Sequence, residues 1–223
     1  MKTLCCILSV IIGAISMFIS TASIEVAAAQ SPESEPVTIQ LRWSHQFQFA
    51  GYYAALEKGY YADEGLEVNL LEAVAGTDRI KPVLEGKAQY GIGDTGLLKL
   101  RSDGQPLVVL AQIFQHSPNI LITRRDSNIL DPHELTGKTV MLSKEPASSA
   151  AVRAMLLEAL GSLDRVTVLP RTRDEKLIDG KADAVAGYLS NEPFQYRQKG
   201  LPINIIDPRS YGIDFYGDNL FTT

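Results

Sequence analysis

Apolar and polar residues change places along this chain with two distinct periods. Val37–Leu41 switches character at every second residue, as a half-buried strand does, and Leu66–Leu71 reads the same way. Tyr90–Gly93, Lys138–Leu142, Val166–Leu169, Ala184–Tyr188 and Ile203–Ile206 are further short strands, and Leu107–Phe114 is a β-branched apolar run that ends before Pro118. Between them lie stretches of helical character: Gly51–Gly59, Arg79–Gly86, Thr95–Ser102, Ser148–Leu160, Asp174–Asp179 and Glu192–Lys199. Strands and helices in strict alternation require crossover connections. The pattern therefore predicts an α/β protein with mostly parallel sheets covered by helices.

One element of the pattern recurs. Leu84-Glu85-Gly86-Lys87-Ala88 ends a helix ahead of the strand Tyr90–Gly93, and Leu177-Ile178-Asp179-Gly180-Lys181-Ala182 does so ahead of Ala184–Tyr188, 94 positions later. Glycine is a common helix stop, so the match taken alone has a bland reading. The order of strands and helices around it repeats as well, which favours two similar lobes. A cleft between lobes is a preferred place for a small-molecule site.

The N-terminus changes the compartment. Lys2 precedes the apolar run Leu4–Ile19, and small residues follow to Ala27-Ala28-Ala29 before Gln30, the order of a secretory signal peptide. The run is shorter than the roughly 20 residues of a spanning helix. Cys5 and Cys6 stand at the very start of the greasy stretch rather than after it, where a lipid-attachment cysteine belongs. Cleavage after Ala29 leaves 194 of the 223 residues and no cysteine, which excludes disulfides, thiolate nucleophiles and cysteine metal sites together. Lys2 and Glu25 leave as a pair, so the net charge stays at −5, and scattered acidic charge makes no case for nucleic acid. Ser31–Pro36 reads as a flexible polar lead-in.

Signatures of catalysis are missing. His45, His116 and His133 lack the spacing of a zinc site, and neither a Gly-x-Ser-x-Gly elbow nor a phosphate-binding lysine loop is present. The expectation is no catalytic residue, no metal and no cofactor. Gly91-Ile92-Gly93-Asp94-Thr95-Gly96 matches the dinucleotide pattern G-x-G-x-x-G. Asp94 would set a negative charge against a pyrophosphate, however, and no acidic residue lies about 20 positions on to hold a ribose. A tight strand-to-helix turn at the mouth of a cleft is the better reading, with Asp94 and Thr95 either facing a ligand or serving the turn alone. Ser148 and Ser149, before an apolar helix, are either an ordinary N-cap, which is favoured, or a cradle for an anion or carbonyl.

Three segments carry the residues of a binding site. Leu41–Tyr53 packs rings and amides behind the first strand, at the carboxyl end where ligands of open α/β sheets bind. From it Trp43, His45, Gln46 and Tyr52 are expected to meet the ligand, whereas Phe47 and Tyr53 are expected to cover the core. Gly187–Pro193 is its counterpart in the second half and contributes Tyr188, Asn191 and Glu192. Glu192 precedes a proline and is expected at the turn rather than in the helix, where its carboxylate either binds a ligand or caps. Tyr211–Asp218, with Asp214, either lines a hinge or forms a surface loop.

These residues resemble a known family. Arg42-Trp43 through Tyr52-Tyr53-Ala54-Ala55, Glu57-Lys58-Gly59-Tyr60-Tyr61 and Glu64-Gly65-Leu66-Glu67-Val68 are similar to the opening of the thiamine-pyrimidine-precursor binding proteins, which include the fungal pyrimidine synthase. Gly91–Gly96, Gly187–Glu192 and Tyr211–Asp214 fit as well. The resemblance implies a two-lobed periplasmic-binding-protein fold of type II. It further implies an exported, monomeric solute-binding protein that passes a hydroxymethyl- or formylamino-pyrimidine to the membrane permease of an ABC transporter. Synthase chemistry is not implied: Phe215-Tyr216-Gly217-Asp218-Asn219 stands where the synthase has its cysteine-rich iron motif, and no histidine lies between Gly91 and Leu107. Family members also continue past Thr223, so the C-terminal part of the first lobe is expected to be missing. The wording Trp43–Phe49 is similar to versions fused to membrane histidine kinases or diguanylate cyclases, which leaves a sensory input domain as the alternative.

The expected organisation is a signal peptide at 1–29, a lead-in at 30–36, a first lobe at 37–122, a second lobe at 123–208 and a return segment at 209–223. N-terminal sequencing of exported protein is expected to begin near Gln30. A sequence still starting at Met1 contradicts cleavage and favours an anchored form.

Overall fold

The computed structural model describes residues 34–73, 77–171 and 175–223. The expected signal peptide, residues 30–33 of the lead-in and the helix start at Asp174 lie outside the described residues. Ser34–Thr223 forms one compact unit built around two five-stranded sheets.

The first sheet has the order β2-β1-β3-β10-β4, from β1 (Glu35–Gln40), β2 (Leu66–Leu71), β3 (Tyr90–Gly93), β4 (Val108–Gln112) and β10 (Asn219–Thr222). The second runs β7-β6-β8-β5-β9, from β5 (Asn119–Arg124), β6 (Thr139–Leu142), β7 (Thr167–Pro170), β8 (Ala184–Tyr188) and β9 (Ile203–Ile206). The two orders are the same pattern written twice. In each sheet one strand, β10 or β5, runs antiparallel to both neighbours, and the remaining pairs are parallel. The helices are α1 (Ala50–Glu57), α2 (Tyr60–Asp63), α3 (Lys81–Leu84), α4 (Gly96–Ser102), α5 (Ala150–Leu160), α6 (Glu175–Ile178) and α7 (Glu192–Gln198).

The repeated Gly-Lys-Ala stop is the same structure in both halves. Gly86 and Gly180 take φ values of +69° and +68°, the left-handed geometry that glycine adopts without a Cβ penalty. Lys87 and Ala88 both donate their N–H to the Pro82 carbonyl, as Lys181 and Ala182 do to that of Lys176. At the next residue, the Gln89 side chain accepts the Thr38 N–H at 2.8 Å, and the Asp183 carboxylate accepts the Thr139 N–H at 2.8 Å. Each stop thus pins the strand it feeds to the neighbouring strand.

Four apolar clusters fill the faces of the sheets. Leu121, Val140, Leu142, Val152, Met155 and Leu156 form the largest, where α5 lies on the second sheet. Val37, Ile39, Leu41, Phe49 and Ile92 fill one face of the first sheet, and Val83, Leu97 and Phe221 the other.

The structure departs from expectation in four places. The strand β1 begins at Glu35, so Pro36 is not part of a loose lead-in; its missing N–H faces the side of β1 that β3 does not reach. The boundary expected at 122/123 falls inside β5, which belongs wholly to the second sheet. This strand gave no recognisable pattern because Asn119–Thr123 is buried on both faces and reads as a plain apolar run. Glu192 is the first residue of α7 rather than part of the preceding turn. A bond from the Tyr188 N–H and an ion pair with Arg171 hold it there against the bias of a residue before proline. Finally, Phe47 does not cover the core: it is 75% exposed, and Phe49 is the ring that is fully buried.

Two glycines test the packing from opposite sides. A Cβ on Gly91 would lie 2.6 Å from the Phe221 ring and 2.9 Å from Val83, whereas one on Gly51 would meet nothing within 4 Å. In urea unfolding, Gly91→Ala is expected to lose about 1–3 kcal/mol by overpacking. Gly51→Ala, in α1, is expected to gain about 0.5–1 kcal/mol. Equal stabilities for the two variants would contradict this packing.

Candidate ligand-binding site

Two segments cross between the sheets. Ile113–Pro118 leads from β4 to β5, and Gly212–Asp218 leads back to β10. They are laced together: the Ile113 and Phe114 N–H groups donate to the Asp218 carbonyl at 2.9 and 3.1 Å, and the Gly217 N–H donates to the Phe114 carbonyl at 2.9 Å. On this seam His116 pairs with Asp214 at 2.5 Å.

Above the seam the carboxyl ends of the parallel strands face one another. β1 delivers Arg42 and Trp43, β3 delivers Asp94, β6 the loop Ser143–Ser149, β7 Arg171, and β8 Tyr188 with Glu192. All of these but Asp94 line a cavity of about 470 Å³, which is within the ordinary range for small-molecule sites. Its walls include Trp43, Gln46, Gln48, Asn119, Tyr188 and Glu192. Trp43 is 48% exposed and takes no place in the apolar core.

Arg42 organises the floor. Its side chain is buried, with the residue 5% exposed, and its guanidinium donates to Asp218 at 2.9 Å, to Asp94 at 2.5 Å, to Ser148 at 3.3 Å and to the Tyr188 hydroxyl. Asp94 also accepts the Gly96 N–H at 2.8 Å and the Ser148 hydroxyl at 2.9 Å. Asp218 accepts from Gln48 at 3.1 Å and from Tyr188 at 3.1 Å. Arg79 donates to the Arg42 carbonyl at 3.0 Å and pairs with Glu145. These bonds join residues of the first sheet to residues of the second.

One cation serves two carboxylates here, and they divide it unequally. Burial works against the charged form of Asp94, but the Arg42 charge and the bonds from Gly96 and Ser148 outweigh it and hold the carboxyl below its usual range. Asp218 lies deeper: burial raises its pKa, and Arg42 only partly offsets that. Burial likewise opposes the Arg42 charge, yet Tyr188, Asp94 and Asp218 together raise its pKa and keep it a permanent cation. Tyr188 is raised by burial and stays a neutral donor.

The expected site residues separate into three groups. Trp43, Gln46, Ser148, Ser149, Tyr188 and Glu192 line the cavity. Asp94 borders an adjoining recess with Gly93, Gly96 and Lys99, and Thr95, at the start of α4, is not in the wall of either. Asn191 stands behind Glu192, donating to it at 3.3 Å. His45 is directed away, to the Tyr53 hydroxyl and Glu72; Asp214 belongs to the seam; and Tyr52 lines a different cavity beyond Gln48. The favoured N-cap reading of the two serines does not hold, because neither hydroxyl caps α5. Ser148 bonds to Asp94, and Ser149 accepts from Arg153 at 3.1 Å.

Arg42, Gln48 and Asp218 lie in segments singled out from the sequence but were not themselves expected at the cleft, and Arg79, Asn119 and Arg171 raised no expectation. Arg42 did leave a signal: a charge directly after an alternating strand sits at the carboxyl end where ligands bind. Asp218 closes the Tyr211–Asp218 cluster, but nothing local paired it with Arg42, because 176 residues separate the two.

Residues 46–223 match the NMT1/THI5-like family. The chain belongs to that family. It is 25% identical over 213 residues to a formylaminopyrimidine-binding protein of Halalkalibacterium halodurans, covering 93% of this chain and 64% of the relative. It is 28% identical over 191 residues to a riboflavin-binding protein of Chloroflexus aurantiacus, covering 80% of this chain and 54% of that one. The periplasmic aliphatic sulphonate binding protein of Escherichia coli shares the fold, with a TM-score of 0.62 at 16% identity over 86% of this chain and 61% of that one. The architecture is thus the two-lobed periplasmic-binding-protein fold, and this NMT1/THI5-like chain spans somewhat more than half the length of the curated relatives named.

The sign of the Asp94 shift fixes a pH dependence. A depressed folded-state pKa contributes stability that is present above the ordinary carboxylate value and is lost as pH falls through the folded value. Asp94→Asn is expected to cost about 1–3 kcal/mol at pH 7. The gap to the parent should narrow as the pH is taken below about 4. Denaturant melts between pH 2 and pH 7 measure it, and a gap that stays constant across that range contradicts the assignment.

Proposed function

We propose that this chain is the binding part of an exported solute receptor that closes on a small planar heterocycle, a thiamine-type aminopyrimidine above all. It delivers that ligand, as a monomer, to the permease of an ABC transporter. The observation that carries the reading is the composition of the cleft. Two aromatic side chains, Trp43 and Tyr188, share a cavity with the amides of Gln46 and Asn119 and with the Glu192 carboxylate. Rings stack flat ligands, and amides and carboxylates read the donors and acceptors along the edge of an aminopyrimidine.

Support comes from two sides. Both curated relatives named above bind, by their names, a planar nitrogen heterocycle. The cleft side chains are the polar and aromatic groups of a recognition site, and the Ser148–Asp94 hydroxyl–carboxylate pair at its floor is tied to the Arg42 guanidinium, which favours a binding protein over an enzyme. Extracytoplasmic location rests on the leader-like N-terminus, and among the described residues no helix is long and apolar enough to cross a membrane.

Trp43 supplies the test, because it is the one tryptophan of the chain. Titration with 4-amino-5-hydroxymethyl-2-methylpyrimidine is expected to shift or quench its emission saturably, and an alkanesulfonate is expected to leave it unchanged. Trp43→Ala should abolish the signal and weaken binding by calorimetry. Full affinity in that variant removes the indole from the site, and a response to the sulfonate alone discards the pyrimidine. Glu192 gives a second measurement. It lines the cleft, and its oxygens accept from Arg171 and the Tyr188 N–H, each at 2.6 Å, and from Asn191 at 3.3 Å. Glu192→Gln should weaken the pyrimidine by about 1.5–3 kcal/mol. Unchanged affinity with an intact fold makes Glu192 a holder of Arg171 and Tyr188 only.

A further inference from the structure

We propose that Arg79 is a positioning residue of the cleft: its ion pair with Glu145, made across the two halves of the fold, couples their closure to the seat of Trp43. The inference rests on the reading above that Trp43 meets the ligand. No apolar packing fixes that indole, which is half exposed and belongs to none of the core clusters. Its place is set by its backbone. The Arg42 carbonyl, on the peptide that leads into Trp43, accepts from Arg79 at 3.0 Å, and the Trp43 carbonyl accepts the Ala73 N–H at 3.2 Å. The other terminal nitrogen of Arg79 reaches Glu145, on the loop that follows β6.

Each partner is fastened within its own half. The Asp78 carboxylate accepts the Ile80 and Lys81 N–H groups at 2.8 and 3.2 Å, which fixes the turn that carries Arg79 into α3. On the other side the Glu145 N–H donates to the Ser143 hydroxyl oxygen at 3.2 Å, and Arg153 donates to the Ser143 carbonyl at 3.1 Å. Two braced segments thus meet at one ion pair. Arg79 and Glu145 line both the cleft and the adjoining recess that Asp94 borders, so the pair is part of the wall between them. Hinged opening of the halves pulls Glu145 off Arg79, and Arg79 then loses the anchor that aims its second donor at the Arg42 carbonyl. A guanidinium suits this position, because its donors stand in a fixed fork and serve a carboxylate and a carbonyl together. Arg79 is part-buried and Glu145 is exposed, so the pair adds little to global stability. A modest contact is what a receptor that must also release its ligand can use.

Distances and emission test this without ligand. Cys5 and Cys6 both lie in the expected leader, so a chain starting at Gln30 takes spin labels only at introduced cysteines. Lys87→Cys and Lys181→Cys, both exposed, place one label on the helix stop of each half. Pulsed electron spin resonance should give a longer distance distribution in Glu145→Gln and in Arg79→Met than in the parent. Arg79→Lys keeps a charge facing Glu145 but not the fork, so its label distances should match the parent while its Trp43 emission shifts, as in Arg79→Met. By stopped flow, the pyrimidine should leave Glu145→Gln about threefold and Arg79→Met about tenfold faster than the parent, at similar association rates. Parent-like distances in both variants that remove the pair overturn the proposal, as does parent-like emission in Arg79→Met. A lowered melting temperature with distances and emission unchanged makes the pair merely structural and also overturns it. If the parent itself gives no response to the pyrimidine, the reading of the cleft fails, and the ligand-free distances and emission still decide the role of Arg79.

Discussion

A guanidinium taken out of water must recover its hydration from fixed partners, and Arg42 recovers it from both halves of the fold at once. Asp94 and Asp218 come from the first sheet and its returning strand, while Tyr188 and Ser148 come from the second. Breaking such an arrangement leaves an unpaired buried charge, at a typical cost of about 3–5 kcal/mol. The ends of β1, β3, β6, β8 and β10 are therefore held in mutual register by one side chain. The cleft owes its shape to that register, since its rings and amides extend from the same strand ends.

The network also explains why the cleft is polar below and aromatic above. Two carboxylates around one cation leave a surplus of acceptors, and Gln48, Tyr188 and Ser148 donate into it. These donors are consequently not available as free ligand groups; Gln46 joins the cluster through its bond to Gln48, and Trp43 and Asn119 stand outside it. Gln48 closes the cluster on its far side and lines both the cleft and the cavity to which Tyr52 belongs.

The doubled architecture sets where such a network can form. Each sheet takes its antiparallel strand from a segment that has just crossed the seam, β5 into the second sheet and β10 into the first. Ile113–Pro118 is thereby anchored at both ends in sheet, and Gly212–Asp218 runs directly into β10, with Asp218 buried at its start. The duplicated Gly-Lys-Ala stops serve the same end by fastening β3 to β1 and β8 to β6.

Local pattern was sufficient for most elements of the fold and for part of the lining of the cleft, while β5 and β10 were not expected. Alternation in Val37–Leu41, the glycine stops at Gly86 and Gly180, and the aromatic and amide cluster after the first strand are all short-range signals. They led to an α/β protein of two similar halves and to Trp43, Gln46, Tyr188 and Glu192. β5 escaped notice because a strand buried on both faces has no alternation to show. Tyr52 was placed in the wrong cavity, since helical spacing tells which residues share a face but not which cavity that face meets. Asp218 and Asn119 became site residues only when the two crossing segments brought distant strand ends together. A strand or a helix stop is written within a few neighbouring residues, so the sequence by itself determined those. A buried ion network belongs to residues as far apart as Arg42 and Asp218, and only packing in three dimensions, where burial and pairing are settled together, decided it.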